Sequence, residues 1–587
     1  MKPTRLFDLL HFQKNNSPLS VALAYKQNGA WKTYSTEEFI EMVDNVSRGL
    51  LELGIKKDDK VGIVSNNRPE WNFIDIGLQQ IGAVSVPMYP TITIKDYRYI
   101  FEDSELKYAF ASDTALCDKV REASEGISTF KGLYCFDEVD DCPHWTEVVN
   151  LGKAKKEVDL QPHRDSVHHE DLLTLIYTSG TTGNPKGVML THHNILSNTI
   201  AVSDNLPKDL NIKKSLSFLP LCHIFERTCV NFYFYRGVSI YYAESLDKIG
   251  DNLKEVQPDM FTTVPRLLEK IYDKIVGKGM ELTGVKKALF FWALKLGHQY
   301  DLQYDKGAWY NFQLKLANKI IFSKWREAVG GNIKLIASGG AALQARLATI
   351  FWSAQIPVLE AYGLTETSPG ISFNRYNKED IRIGTVGPIL PGVTVKIAED
   401  GEILVKGENV MKGYYKQPEK TAEVIDAEGW FHTGDIGEFI EGRFLKITDR
   451  KKEMFKTSGG KYIAPQVIEN KLKESIFVEQ CMVVGDGQKF PAALVVPNYD
   501  ALKEWAHYKQ IPYSTDAQMI HETIVLEKFQ REVDEVNHHF AQWEKIKNFT
   551  LLPILWTVEA GELTAKLSLK RKVITLNYAK EIENLYK

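Results

Sequence analysis

The sequence predicts a multidomain α/β protein, with a large layered N-terminal domain over residues 1–449 and a smaller α+β C-terminal domain over residues 450–587. Three observations carry that expectation. The chain has 587 residues, too many for one hydrophobic core. Apolar strand-like runs alternate with helical patterns through its first three quarters, which is how helices layered on sheets are written. Near residue 450 the texture changes, where a charge run from Asp449 to Glu453 precedes a shorter mixture of helical and strand-like segments.

In chain order, residues 60–65 read as a strand, 66–82 as a helix and 83–87 as the next strand. Asn66 or Asn67 is expected to cap that helix, with Pro69 near its first turn. Apolar runs at 172–176, 333–337 and 357–359 each lead into a glycine-containing string. They read as buried strands ending in loops, the places where α/β sheets hold ligands. Residues 443–447 form a further strand. Beyond it, 465–474 are helical, 481–484 and 492–496 are strands, and 501–547 are largely helical.

The composition is that of an ordinary globular protein, 44% hydrophobic and 25% charged. A net charge of −4 gives no global electrostatic case for nucleic acid. No apolar run approaches twenty residues, and residues 1–16 mix charges into their apolar positions, so the expected location is cytoplasmic. Six scattered cysteines lack metal or disulfide spacing and are expected as buried thiols.

Residues 177–188 read Tyr-Thr-Ser-Gly-Thr-Thr-Gly-Asn-Pro-Lys-Gly-Val. Glycines let the backbone approach a ligand, successive amides make an anion-binding concavity, and hydroxyls and a lysine add donors and charge. The candidate polyphosphate contacts are Thr178, Ser179, Gly180, Thr181, Thr182, Gly183 and Lys186. This is not a Walker A loop, because Pro185 stands where its second glycine would be and Gly187 follows the lysine. A flexible surface loop is the other reading of the same composition.

The string resembles the signature of the adenylate-forming superfamily, which includes acyl-CoA synthetases, and the resemblance runs from about Val61 to Ile574 in several separate strings. It implies a small, mobile C-terminal domain hinged at Lys452. At 360–367, Glu-Ala-Tyr-Gly-Leu-Thr-Glu-Thr follows a strand end and is expected as a loop. The resemblance implies that Tyr362, with Gly363, faces adenine, that Thr365 meets the α-phosphate and that Glu366 holds Mg2+. Gly339, Gly340 and Ala341, in Ser-Gly-Gly-Ala-Ala-Leu, are implied beside adenine and the acyl carboxylate. Asp435 in Thr-Gly-Asp suits the two ribose hydroxyls, having two acceptor oxygens, with Arg450 as its companion. His223, in Leu-Pro-Leu-Cys-His-Ile-Phe-Glu-Arg, is implied near the carboxylate and the pantetheine exit, as a chemical group or as wall. Gly459 and Gly460 resemble a hairpin lining a CoA tunnel. Without the resemblance, each of these strings also reads as an ordinary turn.

One position departs from the pattern. Relatives that act on long chains carry a C-terminal lysine that bridges carboxylate and α-phosphate; aligned on Lys570-Arg571, its place is taken by Ser568. Serine supplies no positive charge. If 562–570 were one strand, its period of two would put Lys566, Ser568 and Lys570 on one face, so either lysine is a candidate. Slow adenylation and a register offset of two residues are the other readings.

Residues 267–297 alternate lysines with Ile271, Ile275, Leu289, Phe290, Phe291, Trp292 and Leu294. Such a stretch suits peripheral contact with an anionic membrane or packing on its own domain. The expected function is therefore ATP- and Mg2+-dependent activation of a fatty acid, of long chain by resemblance, to acyl-AMP, followed by thioester formation with CoA. The alternatives are an acyl-AMP ligase that loads a carrier protein and a catalytically impaired nucleotide- or acyl-binding descendant. Chain length, oligomeric state and pathway are not legible.

Overall fold

The computed structural model describes residues 2–178, 184–558, 560–564 and 568–587. The early strand–helix–strand unit is Lys60–Val64, Pro69–Gln80 and Val84–Met88. The helix cap is Arg68, with no side-chain cap bond, so neither Asn66 nor Asn67 caps it. Asn67 instead donates to Leu219 O (2.7 Å) and Ser217 Oγ (3.0 Å), and its Oδ1 accepts from the Leu221 amide (3.0 Å). A long-range loop claimed the side chain that local propensity assigned to the helix.

The chain forms two compact units. The first comprises residues 1–396, 404–432 and 439–445, and the second residues 397–403, 433–438 and 446–587. In the first unit, a seven-stranded sheet runs in the order Gly413–Tyr414, Lys186–Thr191, Leu172–Thr178, Val84–Met88, Lys60–Val64, Tyr108–Ala111 and Gly132–Cys135. An eight-stranded sheet runs Gly370–Phe373, Val358–Gly363, Leu335–Ser338, Met260–Thr263, Lys214–Ser217, Ser239–Tyr242, Leu23–Gln27 and Ala30–Tyr34. Its inner pairs are parallel, and an antiparallel strand closes each end. Inner strands buried on both faces are why the sequence shows continuous apolar runs there.

Helices Pro69–Gln80 and Ile224–Arg236 lie between the two sheets. Every residue of the first is buried. From the second, Glu226 accepts from Ser217 Oγ (2.6 Å) of the larger sheet, while Arg227 reaches Ser85 Oγ (3.1 Å) of the smaller and Asp75 Oδ1 (2.6 Å) of the first helix. Arg227 and Asp75 are almost wholly buried, and removing one partner of such a pair costs about 3–5 kcal/mol.

Residues 267–297 fall in helices Pro265–Glu281 and Gly284–His298. Most of their apolar side chains face inward: Leu268, Tyr272, Val276, Phe290, Ala293 and Leu296 are buried, and Ile271, Ile275, Phe291, Trp292 and Leu294 pack against the same core. Packing on its own domain thus accounts for most of the stretch read as a membrane surface. Among the described residues, no helix is long and apolar enough to cross a membrane. All six cysteines are buried.

The second unit has its own core, centred on the sheet Val478–Val484, Ala492–Pro497 and Asn548–Leu551 and on helices Pro465–Leu472 and Thr523–Asn537.

Candidate functional site

Thr178 ends the strand Leu172–Thr178 and pairs antiparallel with Lys186, the first residue of Lys186–Thr191. The described ends of the phosphate-loop string therefore belong to two strands paired antiparallel. Ser179, Gly180, Thr181, Thr182 and Gly183 lie outside the described residues. Lys186 Nζ stands 4.6 Å from the centroid of the Tyr414 ring. Tyr414, on the neighbouring strand, donates from its hydroxyl to Glu366 Oε1 at 2.9 Å. The Met411 amide donates to the Glu366 carbonyl at 2.8 Å. Burial, reinforced by the Glu366 carboxylate, holds the Tyr414 phenol protonated well above its ordinary range. One tyrosine thus joins the lysine of the first string to the glutamate of the second.

That glutamate leaves the C-terminal edge of the large sheet. The strand Val358–Gly363 runs further than expected: Tyr362 pairs with Ser372 instead of lying on a loop. The turn follows only at Thr365–Thr367. Gly363 allows a close approach, since a Cβ there would stand 1.7 Å from the Pro369 carbonyl oxygen. Glu360, buried beside this turn, accepts from the Gly384 and Leu343 amides, and desolvation raises its carboxyl to about 8.

The adjacent parallel strand, Leu335–Ser338, opens into Gly339, Gly340 and Ala341. Gly340 has φ +81°, a left-handed conformation that glycine adopts freely. A Cβ on Gly339 would meet Phe225 Cζ at 3.2 Å and the Ala361 carbonyl oxygen at 3.5 Å, so this loop touches two of the other strings. His223 caps helix Ile224–Arg236, its Nδ1 accepting from the Phe225 amide at 3.2 Å. Its ring lies 6.4 Å from that of Tyr89, which follows a strand of the other sheet. Gly339–Ala341, Tyr362–Glu366 and His223 therefore leave the same edge of one sheet, where α/β ligand sites form.

The remaining candidates belong to the second unit. Asp435 is buried and Arg450 Nε lies 3.3 Å from its Oδ1. Beside them, Glu402 accepts from the Gly434 amide (2.9 Å) and from Lys451 Nζ (2.8 Å). Residues 451–453, including Lys452, form the turn after strand Phe444–Arg450. Gly459 and Gly460 close the hairpin between Phe455–Lys456 and Tyr462–Ile463, with Gly460 at φ +78°. Segment 562–570 is not a single strand. Leu563 pairs with Leu569, and the Thr564 amide donates to the Ser568 carbonyl at 2.9 Å, so the chain doubles back. Ser568 and Lys570 are exposed, and Lys566 lies outside the described residues.

Sequence reasoning missed Tyr414, Glu360 and the bridging role of Asn67. Tyr414 follows Gly413 in a Gly-Tyr-Tyr string, a weak signal, and nothing in its spacing points to Lys186. Among the described residues, no group of three or more His, Cys, Asp or Glu side chains could hold a metal by itself. Glu366 suits Mg2+ in another way, because that ion is commonly held by one or two carboxylates plus substrate phosphates.

Comparison with known proteins places these features. Residues 10–415 match the AMP-binding enzyme family, and residues 453–587 match the AMP-binding enzyme C-terminal domain. The long-chain-fatty-acid–CoA ligase FadD15 of Mycobacterium bovis is 31% identical over 565 residues, 95% of this chain and 93% of that protein. Long-chain-fatty-acid–CoA ligase 1 of Homo sapiens is 32% identical over 608 residues, 97% of this chain and 84% of that protein. The solved anthranilate CoA ligase AuaEII, in complex with anthranoyl-AMP, has the same fold. Its TM-score is 0.75 at 18% identity, over 100% of this chain and 99% of that one.

Proposed function

The chain belongs to the AMP-binding enzyme family, and from that premise we propose that it is an acyl-CoA ligase acting on long-chain fatty acids. Its chemistry is AMP-forming activation of a fatty acid, followed by transfer to CoA. A carboxylate is a poor electrophile. Attack of its oxygen on the α-phosphorus of ATP breaks the bond to pyrophosphate and gives a mixed anhydride with a good leaving group. The CoA sulfur then attacks the acyl carbon and AMP leaves, the thiol proton passing to solvent. The long-chain preference is the finer part of the proposal, supported by the names of the relatives.

The residue roles are those the family resemblance implies, and the charge and position of each side chain support them. Lys186 neutralises phosphate oxygens, and Thr365 donates to the α-phosphate. Mg2+, when bound with the nucleotide, lowers the charge barrier to attack, and Glu366 would hold it. Tyr414 fixes Glu366 and supports Lys186 through its ring. Gly339–Ala341 leave room for adenine and the carboxylate, with Tyr362 giving an aromatic face. His223 lines the acyl side, Asp435 and Arg450 take the ribose, and Gly459 and Gly460 admit pantetheine. The second unit turns about Lys452 between the two steps. Lys570 or Lys566 supplies the cation that Ser568 cannot.

The observation that carries this reading is the Lys186–Tyr414–Glu366 chain, which ties the candidate phosphate lysine to the candidate metal ligand. The test is pyrophosphate release with palmitate, with and without CoA, with the thioester measured alongside. Release in both conditions, with thioester only when CoA is present, is expected. Release without any thioester would instead mark an enzyme that serves a carrier protein, and no release would refute the ligase.

A further inference from the structure

The helix Ala308–Ala317 and the π-helical segment Asn318–Phe322 that continues it carry an unpartnered apolar stripe. Trp309 is 71% exposed, Phe312 59%, Leu316 42% and Ile320 40%. Steps of three and four residues put all four on one face of a helix. The Trp309 and Phe312 rings stack at 5.8 Å. The opposite face is fully used: Ala317 and Phe322 are buried, and Tyr310, Leu314 and Ile321 pack on the same core as helices Pro265–Glu281 and Gly284–His298. The stripe is therefore surplus to folding.

Its surroundings are basic. Between residues 284 and 320 stand six lysines (286, 287, 295, 306, 315 and 319) and two acids, Asp301 and Asp305, in a chain whose net charge is −4. Lys315 and Lys319 each precede an apolar stripe residue, at the edge where a long stem can lie along apolar surface and its ammonium reach outward. The preceding helix, Gly284–His298, runs antiparallel beside it. Tyr310 OH donates to the Leu296 carbonyl at 2.8 Å, and Trp292 Nε1 to Gln313 Oε1 at 3.3 Å. This register carries exposed Leu289 and Val285 toward the Leu316–Ile320 end.

We propose that this face, Trp309–Phe312–Leu316–Ile320 with Lys315 and Lys319, docks the protein on the surface of an anionic lipid bilayer. Aromatic and aliphatic side chains on one side of a helix and lysines flanking them are what an interfacial helix presents to headgroups and acyl chains. A second copy of the chain is a poorer occupant. A two-fold contact sets a patch against itself, and here it would bring like charges together. The inference deepens the ligase reading by naming where the protein meets its lipid supply, and it rests on that reading only for its purpose.

The test uses the full chain and sedimentation with sucrose-loaded vesicles, one set phosphatidylcholine alone and one with half phosphatidylglycerol. The expected result is binding to the anionic vesicles that weakens at high salt. The Trp309→Glu/Phe312→Glu variant should bind at least about tenfold more weakly, and so should Lys315→Glu/Lys319→Glu, since each lysine near an anionic surface contributes about fivefold. Both variants should keep the wild-type melting temperature. Wild-type protein that stays in the supernatant, variants that sediment like wild type, or self-association that the variants abolish would each overturn the proposal. Thioester formation from a soluble acid is measured on the same preparations. Binding by an inactive protein would refute only the ligase, and activity without binding only this surface.

Discussion

Tyr414 shows how much of a site is decided by single contacts. Its hydroxyl donates to one candidate ligand and its ring supports another. Tyr414→Phe keeps the ring and loses the hydrogen bond to a carboxylate. A bond of that kind contributes about 1.5–3 kcal/mol, so kcat/KM for ATP should fall roughly ten- to hundredfold with little change in melting temperature. Lys186→Ala should raise KM for ATP and leave the fold intact; a collapsed thermal transition would show that the lysine is structural. Glu226 offers a test of burial. It is fully buried, and desolvation raises its carboxyl from the ordinary 4.5 to about 7, against weaker lowering by Ser217 and Thr262. Below pH 4.5 both folded and unfolded chains carry it neutral. As pH rises toward 7, only the unfolded chain ionises freely, so stability is lost across that window. Glu226→Gln should not show this loss, and its melting temperature should gain on wild type between pH 5 and 8. A constant difference would show that the glutamate is not buried neutral. None of these partnerships was legible in the sequence. Tyr414 and Lys186 are brought together by the pairing of Tyr414 with Val188, and no local spacing encodes that register.

At the scale of elements, the sequence was most informative where patterning and packing agree. The strand–helix–strand unit at 60–88 was readable because its strands are continuous apolar runs, as strands buried on both faces must be. It misled where a tertiary partner outbid a local preference, as with Asn67, or where a pairing strand extended an element, as with Tyr362. Segment 562–570 misled differently. Alternation suggested one strand, but Leu563 and Leu569 face each other across a reversal of the chain. Substitution separates the two candidate lysines. If Lys566 or Lys570 supplies the missing cation, alanine at that position should slow adenylation about a hundredfold or more, the scale of one transition-state charge contact, and alanine at the other should not. Equal, small effects would mean that neither acts. Gly363 tests the turn at the end of its strand. With the Pro369 carbonyl 1.7 Å from a would-be Cβ, Gly363→Ala should lose about 1–3 kcal/mol or more of stability, read by denaturant titration.

At the scale of the molecule, the fold class followed from alternation and length, because layered helices and sheets leave a regular trace in sequence. The candidate site followed only as a set of strings. That three of them leave one edge of one sheet is a property of strand order, in which Val358–Gly363, Leu335–Ser338, Met260–Thr263 and Lys214–Ser217 are neighbours despite their separation along the chain. The exposed apolar stripe on Ala308–Ala317 went unnoticed for the same reason: composition identifies a basic, apolar region, but only packing separates core side chains from exposed ones. In the proposed reaction a fatty acid carboxylate attacks the α-phosphorus of ATP. The most direct measurement uses palmitate labelled with oxygen-18 in both carboxylate oxygens and follows the label by mass spectrometry through one turnover with CoA. One labelled oxygen should appear in AMP and none in pyrophosphate. Label in inorganic phosphate or pyrophosphate, or none in any phosphate product, would contradict attack at the α-phosphorus.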